Sequence, residues 1–377
     1  MDEDRNTQPL RVALVGTGAI AGIHAADLRA VAGMELVAAT DIDPLRLRDF
    51  AAQWDVARTF PDLESLLGEL GSPDALDIVH LCSPPGLHRE QALSILGRGI
   101  SVLSEKPPTL SLTSLDDIRA AERPGGPYFA TVSQHRFGGR AVWLREIVRS
   151  GAFGRLLTGV CNTFWYRPDA YYDVPWRGEW ANEGGGPTLG LGIHQVDTLL
   201  SLVGPWDEVV AVAARRARTV QAEDVSHAIV TLSGGALISV VNSVLSPRET
   251  SALRLDFEHA TVELDHLYGY TDADWRVTPA PGSEDLVRAA LVDGPHGVPS
   301  GHAAQFAAMV AAVRSGGPLP VDSSSARSTL ELIAATYASA FTGARVRAGD
   351  IDERSPFYSS MEGSGAPWPH EAPAPPL

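Results

Sequence analysis

Short apolar runs alternate with amphipathic stretches over the first third of the chain. Residues 10–15, 34–40, 78–82, 101–104 and 128–132 are almost continuously apolar and predict strands. Between them, residues 19–31, 44–54, 87–97 and 112–122 carry apolar positions at helical spacing. Strands that are apolar throughout, rather than at alternate positions, are covered on both faces, and intervening helices supply the covers. The pattern therefore predicts an α/β fold over residues 9–133: a doubly wound parallel sheet of the dinucleotide-binding (Rossmann) type.

The pattern changes after a helix at 140–150. Longer strand candidates follow at 156–166, 208–214, 226–232, 236–244, 252–257 and 261–264, and Ser233-Gly234-Gly235 supplies a tight turn between two of them. Consecutive strands joined by turns predict a second, α+β domain over residues 134–350 with an open, mostly antiparallel sheet. Helices are predicted at 192–202, 302–315 and 323–342, the last able to pack back on the first domain. Residues 360–377 are rich in Pro and Gly and are expected to be disordered.

Composition narrows the class of partner. A chain of 377 residues, 44% apolar and 20% charged, suits two domains with sizeable cores. Its net charge of −16 argues against nucleic acid or an anionic membrane and leaves a small molecule as the expected partner. The two cysteines, Cys82 and Cys161, have no metal-ligand spacing and read as small buried hydrophobes in a reducing compartment. No His-Glu-x-x-His or Cys/His cluster occurs, so no metal is expected. No apolar signal segment precedes the first strand and no run is long enough to span a membrane, so the expected location is cytoplasmic.

The first strand ends in Gly16-Thr17-Gly18-Ala19-Ile20-Ala21 and a helical pattern follows at once. Gly16 permits the tight turn, Gly18 lets backbone approach a pyrophosphate, and Ala19 and Ile20 open the helix whose N–H groups meet it. The next strand ends in Asp41, where a carboxylate accepts from the adenosine ribose hydroxyls and repels a 2′-phosphate. That favours NAD over NADP, although Arg46 and Arg48 lie close enough in sequence to keep NADP open. The alternative use of Asp41 is as a turn residue ahead of Pro44.

Ser104-Glu105-Lys106-Pro107, behind such a turn, resembles the glucose–fructose oxidoreductase/inositol dehydrogenase (Gfo/Idh/MocA) family. The resemblance continues through Cys82-Ser83-Pro84 with His88, Trp176-Arg177-Gly178, Glu183-Gly184-Gly185-Gly186 and Gly192-Ile193-His194-Gln195-Val196-Asp197. It implies nicotinamide bound between the domains, with Ser83, Pro84, His88, Glu105 and Lys106 beside the cofactor and a Lys106–Pro107 peptide that is often cis. It further implies Lys106 as the residue holding a substrate hydroxyl and the nicotinamide ribose, and His194 as general acid/base. A neutral imidazole suits removal of a hydroxyl proton as hydride departs. Tyr166 and Arg177 are the further substrate candidates, an aromatic face suiting sugar C–H groups and an arginine suiting carboxylates or phosphates. His24, His302 and Gln305 are expected to be structural.

One departure stands out. Many dehydrogenases of the family carry aspartate four residues before the histidine, and this chain has Gly190 there, with Asp197 or Glu183 as possible substitutes. The glycine also opens space for a bulkier substrate or one bearing its own acid group. The resemblance implies an NAD(P)-dependent oxidoreductase acting on a secondary alcohol of a sugar, sugar acid or cyclitol, assembled as a homodimer or homotetramer. Two alternatives stay open: a redox-neutral enzyme with tightly held NAD, and a non-catalytic NAD-binding regulator.

Overall fold

The computed structural model describes residues 8–174, 176–291, 294 and 297–369, which form two compact units. The first unit contains the described residues up to Thr109 together with Ser114–Gln134 and His302–Arg327. Its sheet comprises β1 (Leu10–Val15), β2 (Met34–Thr40), β3 (Arg58–Phe60), β4 (Ile78–Leu81), β5 (Ser101–Ser104) and β6 (Phe129–Thr131). All pairs are parallel and the order is β3-β2-β1-β4-β5-β6. The order reverses between β1 and β4, which opens a crevice beyond the carboxyl ends of those two strands, where ligands of such sheets bind.

The continuous apolar run Leu-Arg-Val-Ala-Leu-Val places all of β1 except Arg11 in the core. The helix Pro44–Trp54 starts where Asp43 accepts from the N–H groups of Leu45 and Arg46 and Pro44 occupies the first turn. Two elements were not marked by the sequence pattern, β3 and the helix Leu63–Leu70. β3 has three residues, two of them exposed, too few to reveal a period.

The domain boundary also differs from expectation. Residues 302–327, assigned from sequence to the second domain, belong to the first unit. The helix His302–Arg314 buries Phe306, Met309 and Val310 in the same core as Leu14, Ala21 and Leu28. Full burial of a side chain such as Phe306 stabilises by about 1.5–3 kcal/mol, which is why this helix belongs to that core. The helix Ser323–Thr342 begins in the first unit and continues in the second.

The second unit is built on β7 (Leu156–Phe164), β8 (Trp206–Ala214), β9 (Val225–Leu232), β10 (Leu237–Ser243), β11 (Thr250–Phe257), β12 (Ala260–His266), β13 (Trp275–Pro279) and β14 (Val346–Arg347). The order is β13-β12-β11-β7-β10-β9-β8-β14, so two antiparallel meanders flank β7, and only the β7–β10 pair is parallel. Period-2 burial is clean along β9, where Ser226, Ala228, Val230 and Leu232 point inward while His227 and Ile229 are exposed. The helix Ile193–Val203, buried along most of its length, packs on β7 and β11.

The expected disorder from residue 360 onward is not observed up to residue 369. Trp368 meets Phe341 edge-on at 5.3 Å and donates to the carbonyl of Gln221. An indole is large enough to anchor an otherwise Pro- and Gly-rich segment. Residues 370–377 lie outside the described residues. Among the described residues, no helix is long and apolar enough to cross a membrane.

Candidate active site

β1 runs directly into Gly16-Thr17-Gly18 and the helix Ala19–Ala30. Gly16 has φ +88°, and a Cβ there would lie 2.9 Å from the carbonyl oxygen of Cys82 and 3.0 Å from the nitrogen of Ser83. Only glycine lets the turn pass so close to the end of β4. A Cβ on Gly18 would meet nothing within 4 Å, and Gly18 gives its helix no side-chain cap. The amino end of the helix, with Ala19 exposed and Ile20 half-buried, thus borders open space with its positive dipole end uncapped.

Asp41 lies at the end of β2 and turns back onto this loop. One carboxylate oxygen accepts from the N–H of Thr17 at 2.8 Å and its hydroxyl at 2.9 Å, and the other from the N–H of Asp43 at 2.9 Å. Burial pushes this carboxyl up, but the bonds from Asp43 and Thr17 and the nearby Arg46 outweigh it and hold it below the usual range. Arg46 approaches Asp41 to 3.5 Å, whereas Arg48 pairs with Asp49. An uncapped helix end behind an unobstructed glycine, flanked by an ionised carboxylate, fits the pyrophosphate and adenosine ribose of NAD. Ser83 and Pro84 lie on the adjoining loop after β4, with the Ser83 hydroxyl 2.5 Å from Gln91 Oε1.

Lys106 follows β5, half-buried, and its peptide bond to Pro107 is cis. Its N–H donates to Glu105 Oε2 at 3.1 Å, while Glu105 Oε1 lies 2.9 Å from His24 Nε2 and 3.3 Å from His302 Nε2. Burial raises the Glu105 carboxyl, but the hydrogen bonds from His24 and His302 prevail and hold it well below the carboxylate range. Burial lowers His24 and, more strongly, His80, so both rings are neutral. The proton of His24 then belongs on Nε2, facing Glu105, and its Nδ1 accepts from His80 Nδ1 at 3.1 Å. His80 Nε2 is left as a bare lone pair with no partner among the described residues.

His24, Glu105 and His302 hold donor atoms within 4.8 Å of one another, a grouping with metal-ligand chemistry that comes from three distant segments. Two imidazole N–H groups converging on one carboxylate oxygen account for the geometry without an ion. Two residues expected beside the cofactor have their side chains engaged within the first unit. The Glu105 carboxylate, expected at the cofactor, is turned into this network. The His88 imidazole, also expected there, is buried with one nitrogen 2.9 Å from the Ser83 carbonyl and the other 3.1 Å from that of Pro107. Both residues support the loops that carry Ser83 and Lys106.

In the second unit, Glu223 fixes the glycine-rich segment ahead of His194. This fully buried carboxylate accepts from the N–H groups of Gly186 and Thr188 and from the Tyr337 hydroxyl. A Cβ on Gly186 would overlap the carbonyl of Glu223, so that glycine is required for close approach. His194 follows in the first turn of the helix Ile193–Val203 and is buried. Its ring centroid lies 5.8 Å from that of Trp165, at 39°, and 5.1 Å from that of His135, at 31°. A Cβ on Gly190 would meet nothing within 4 Å. The two candidate substitutes for the missing aspartate are engaged elsewhere. Asp197 is clasped by the guanidinium of Arg136 and bonded by the Thr329 hydroxyl. Glu183 accepts from the N–H of Gly178 and lies 3.7 Å from Arg177.

Tyr166 and Arg177 belong to one aromatic and guanidinium cluster. The Arg177 guanidinium lies 3.9 Å above the Tyr171 ring and 4.7 Å from that of Trp176, and it donates to the Tyr171 hydroxyl. Arg167 bridges the rings of Trp165 and Tyr171, and Arg218 covers Tyr166, itself 37% exposed. Through Trp165 this cluster is continuous with His194. Sequence reasoning missed Glu223, His135 and the buried role of Trp165. Each is a single residue on a separate element, with no spacing to give it away.

A family model described as the oxidoreductase family with an NAD-binding Rossmann fold matches residues 10–129, and the GFO/IDH/MocA C-terminal domain model matches residues 142–263. The chain is 25% identical over 370 residues to a D-glucoside 3-dehydrogenase of Escherichia coli (strain K12), covering 92% of this chain and 99% of that protein. It is 27% identical over 376 residues to a D-apiose dehydrogenase of Paraburkholderia graminis, covering 94% and 93%. Among solved structures, the WlbA dehydrogenase from Bordetella pertussis in complex with NADH and UDP-GlcNAcA is similar with a TM-score of 0.76. That match has 27% identity and covers 90% of this chain and 98% of the other.

Proposed function

The chain belongs to the Gfo/Idh/MocA family of NAD-binding oxidoreductases acting on sugar-like substrates, and from that premise we propose that it reversibly dehydrogenates a secondary alcohol of a sugar, sugar acid or cyclitol. The observation that carries this reading is His194: an imidazole buried among aromatic rings, with open space four residues before it at Gly190. In such surroundings a neutral imidazole accepts the hydroxyl proton, and low polarity strengthens its hold on an oriented hydroxyl. Lys106, on the loop fixed by Glu105 and His88, donates to the reacting oxygen. Tyr166 offers an aromatic face to sugar C–H groups, and Arg177 a guanidinium to an anionic substituent.

Gly16, Gly18, Ala19, Ile20 and Asp41 would hold the dinucleotide, together with the Ser83-Pro84 loop. When bound, NAD supplies the hydride acceptor. Asp41, ionised and fixed by Thr17, favours an adenosine ribose with free hydroxyls, hence NAD over NADP. Copies of the chain would associate through the exposed face of the second sheet, where Val212, Ile229 and Leu237 are bare.

The test is reduction of NAD or NADP, read by absorbance, by the full chain with methyl glucoside, D-apiose, myo-inositol and a UDP-linked uronic acid. Turnover of at least one, with NAD preferred, is the expected result. His194→Ala should lower kcat by about 100-fold or more while leaving NAD affinity unchanged. A fully active His194→Ala variant would remove the base assignment. Bound NAD that no sugar reduces would overturn the dehydrogenase reading.

A further inference from the structure

The histidine proposed to take the proton needs a fixed ring, yet the position from which an aspartate could orient it is Gly190. Asp197 and Glu183 are held by Arg136, Thr329 and Gly178 instead. Two flat side chains lie beside the His194 ring. Trp165 is fully buried, its indole N–H donated to the Ser251 hydroxyl and its face stacked on Tyr268 at 4.5 Å. His135 lies at 5.1 Å with its ring tilted by 31°, within the separation at which aromatic pairs interact.

His135 is itself held from several directions. The Tyr270 hydroxyl donates to its carbonyl oxygen, and its ring meets that of His266 edge-on at 5.0 Å. His266 in turn lies 2.8 Å from the Gln195 amide, next to His194 on the same helix. The neighbouring Arg136 clasps Asp197, one turn beyond His194. The backbone on both sides of the ring contact is therefore tied together, which holds the two rings near each other.

We propose that His135 is the residue that positions His194, by ring contact, in the place of the carboxylate that Gly190 does not provide. The inference rests on the reading of His194 as the proton acceptor. His135 acts through its face: it confines the plane of the His194 ring and thereby the direction of the nitrogen that meets the substrate hydroxyl. A displacement of about 1 Å at such a group lowers the rate by about 100-fold, so the effect falls on kcat and not on substrate binding.

The test compares His135→Ala, His135→Phe and His135→Ala with Gly190→Asp, each as the full chain with NAD. A Cβ added at Gly190 would meet nothing within 4 Å. Crystal structures should show the His194 ring displaced or split in His135→Ala and restored in the other two. With the best substrate of the panel, His135→Ala should lose about 10- to 100-fold in kcat at near-constant KM. His135→Phe should stay within about threefold of the parent, and Gly190→Asp should recover part of the loss. An unmoved His194 ring in His135→Ala would overturn the proposal, as would His135→Phe being as slow as His135→Ala. An active His194→Ala variant would instead remove the underlying reading, which the ring positions do not depend on.

Discussion

Replacing Glu105 by glutamine probes the network beneath Lys106. The carboxylate accepts from His24, His302 and the Lys106 N–H, the first two bonds buried and the third partly so. Glutamine keeps one carbonyl oxygen for the two imidazoles but presents an NH2 group to the Lys106 N–H, so two donors face each other. Hydrogen bonds to a charged group are worth about 1.5–3 kcal/mol each, and breaking a buried charged arrangement costs about 3–5 kcal/mol. We take about 3–4 kcal/mol as the loss. For a unit of this size each kcal/mol moves the melting temperature by about 2–4 °C, so Glu105→Gln should melt about 6–16 °C below the parent. The sign with pH follows from a depressed carboxyl. Its contribution is complete above the unfolded pKa of about 4.3 and is lost as pH falls through the lower folded value. The gap between parent and variant should thus be full at neutral pH and shrink only under strong acid. Calorimetry of the first transition measures it. A shift under about 2 °C at neutral pH would refute the assignment of an ionised, three-bonded Glu105.

Other outcomes follow from separate parts of the molecule. His266 is pushed down to about 4 by burial, so it stays neutral while the unfolded chain protonates below about 6.5. Stability should fall by about 3 kcal/mol between those values, and His266→Gln should flatten the urea midpoint against pH. Gly186→Ala should cost about 3 kcal/mol or more, seen as a lowered urea midpoint, because its Cβ would overlap the Glu223 carbonyl. Asp41→Gly should weaken NAD binding by about tenfold and improve NADP binding, read by titration calorimetry, since the carboxylate that repels a 2′-phosphate is removed while Arg46 stays beside it.

The first sheet was legible because its strands are largely buried on both faces, so β1 and β2 run as apolar segments interrupted only by Arg11 and by Glu35 and the terminal Thr40. The three-residue β3 and the two-residue β14 leave no period to read. The boundary error at residue 302 has a similar origin. A helix burying Phe306, Met309 and Val310 reveals that it needs a core, but not which one. Local turns such as Gly16–Gly18 were legible because their chemistry lies within a few consecutive residues. The Glu105 and His194 surroundings were not, since His24 and His302, or His135 and Trp165, reach each other only through the fold.

The most direct test of the central claim follows the hydride itself. The NAD-loaded chain and its His194→Ala variant would be mixed with carbon-deuterated sugars of the panel, and the released dinucleotide weighed by mass spectrometry. The account predicts one deuterium on the dinucleotide from the parent and none, on the same timescale, from the variant. A dinucleotide that stays unlabelled in the parent with every sugar, while remaining bound, would contradict it.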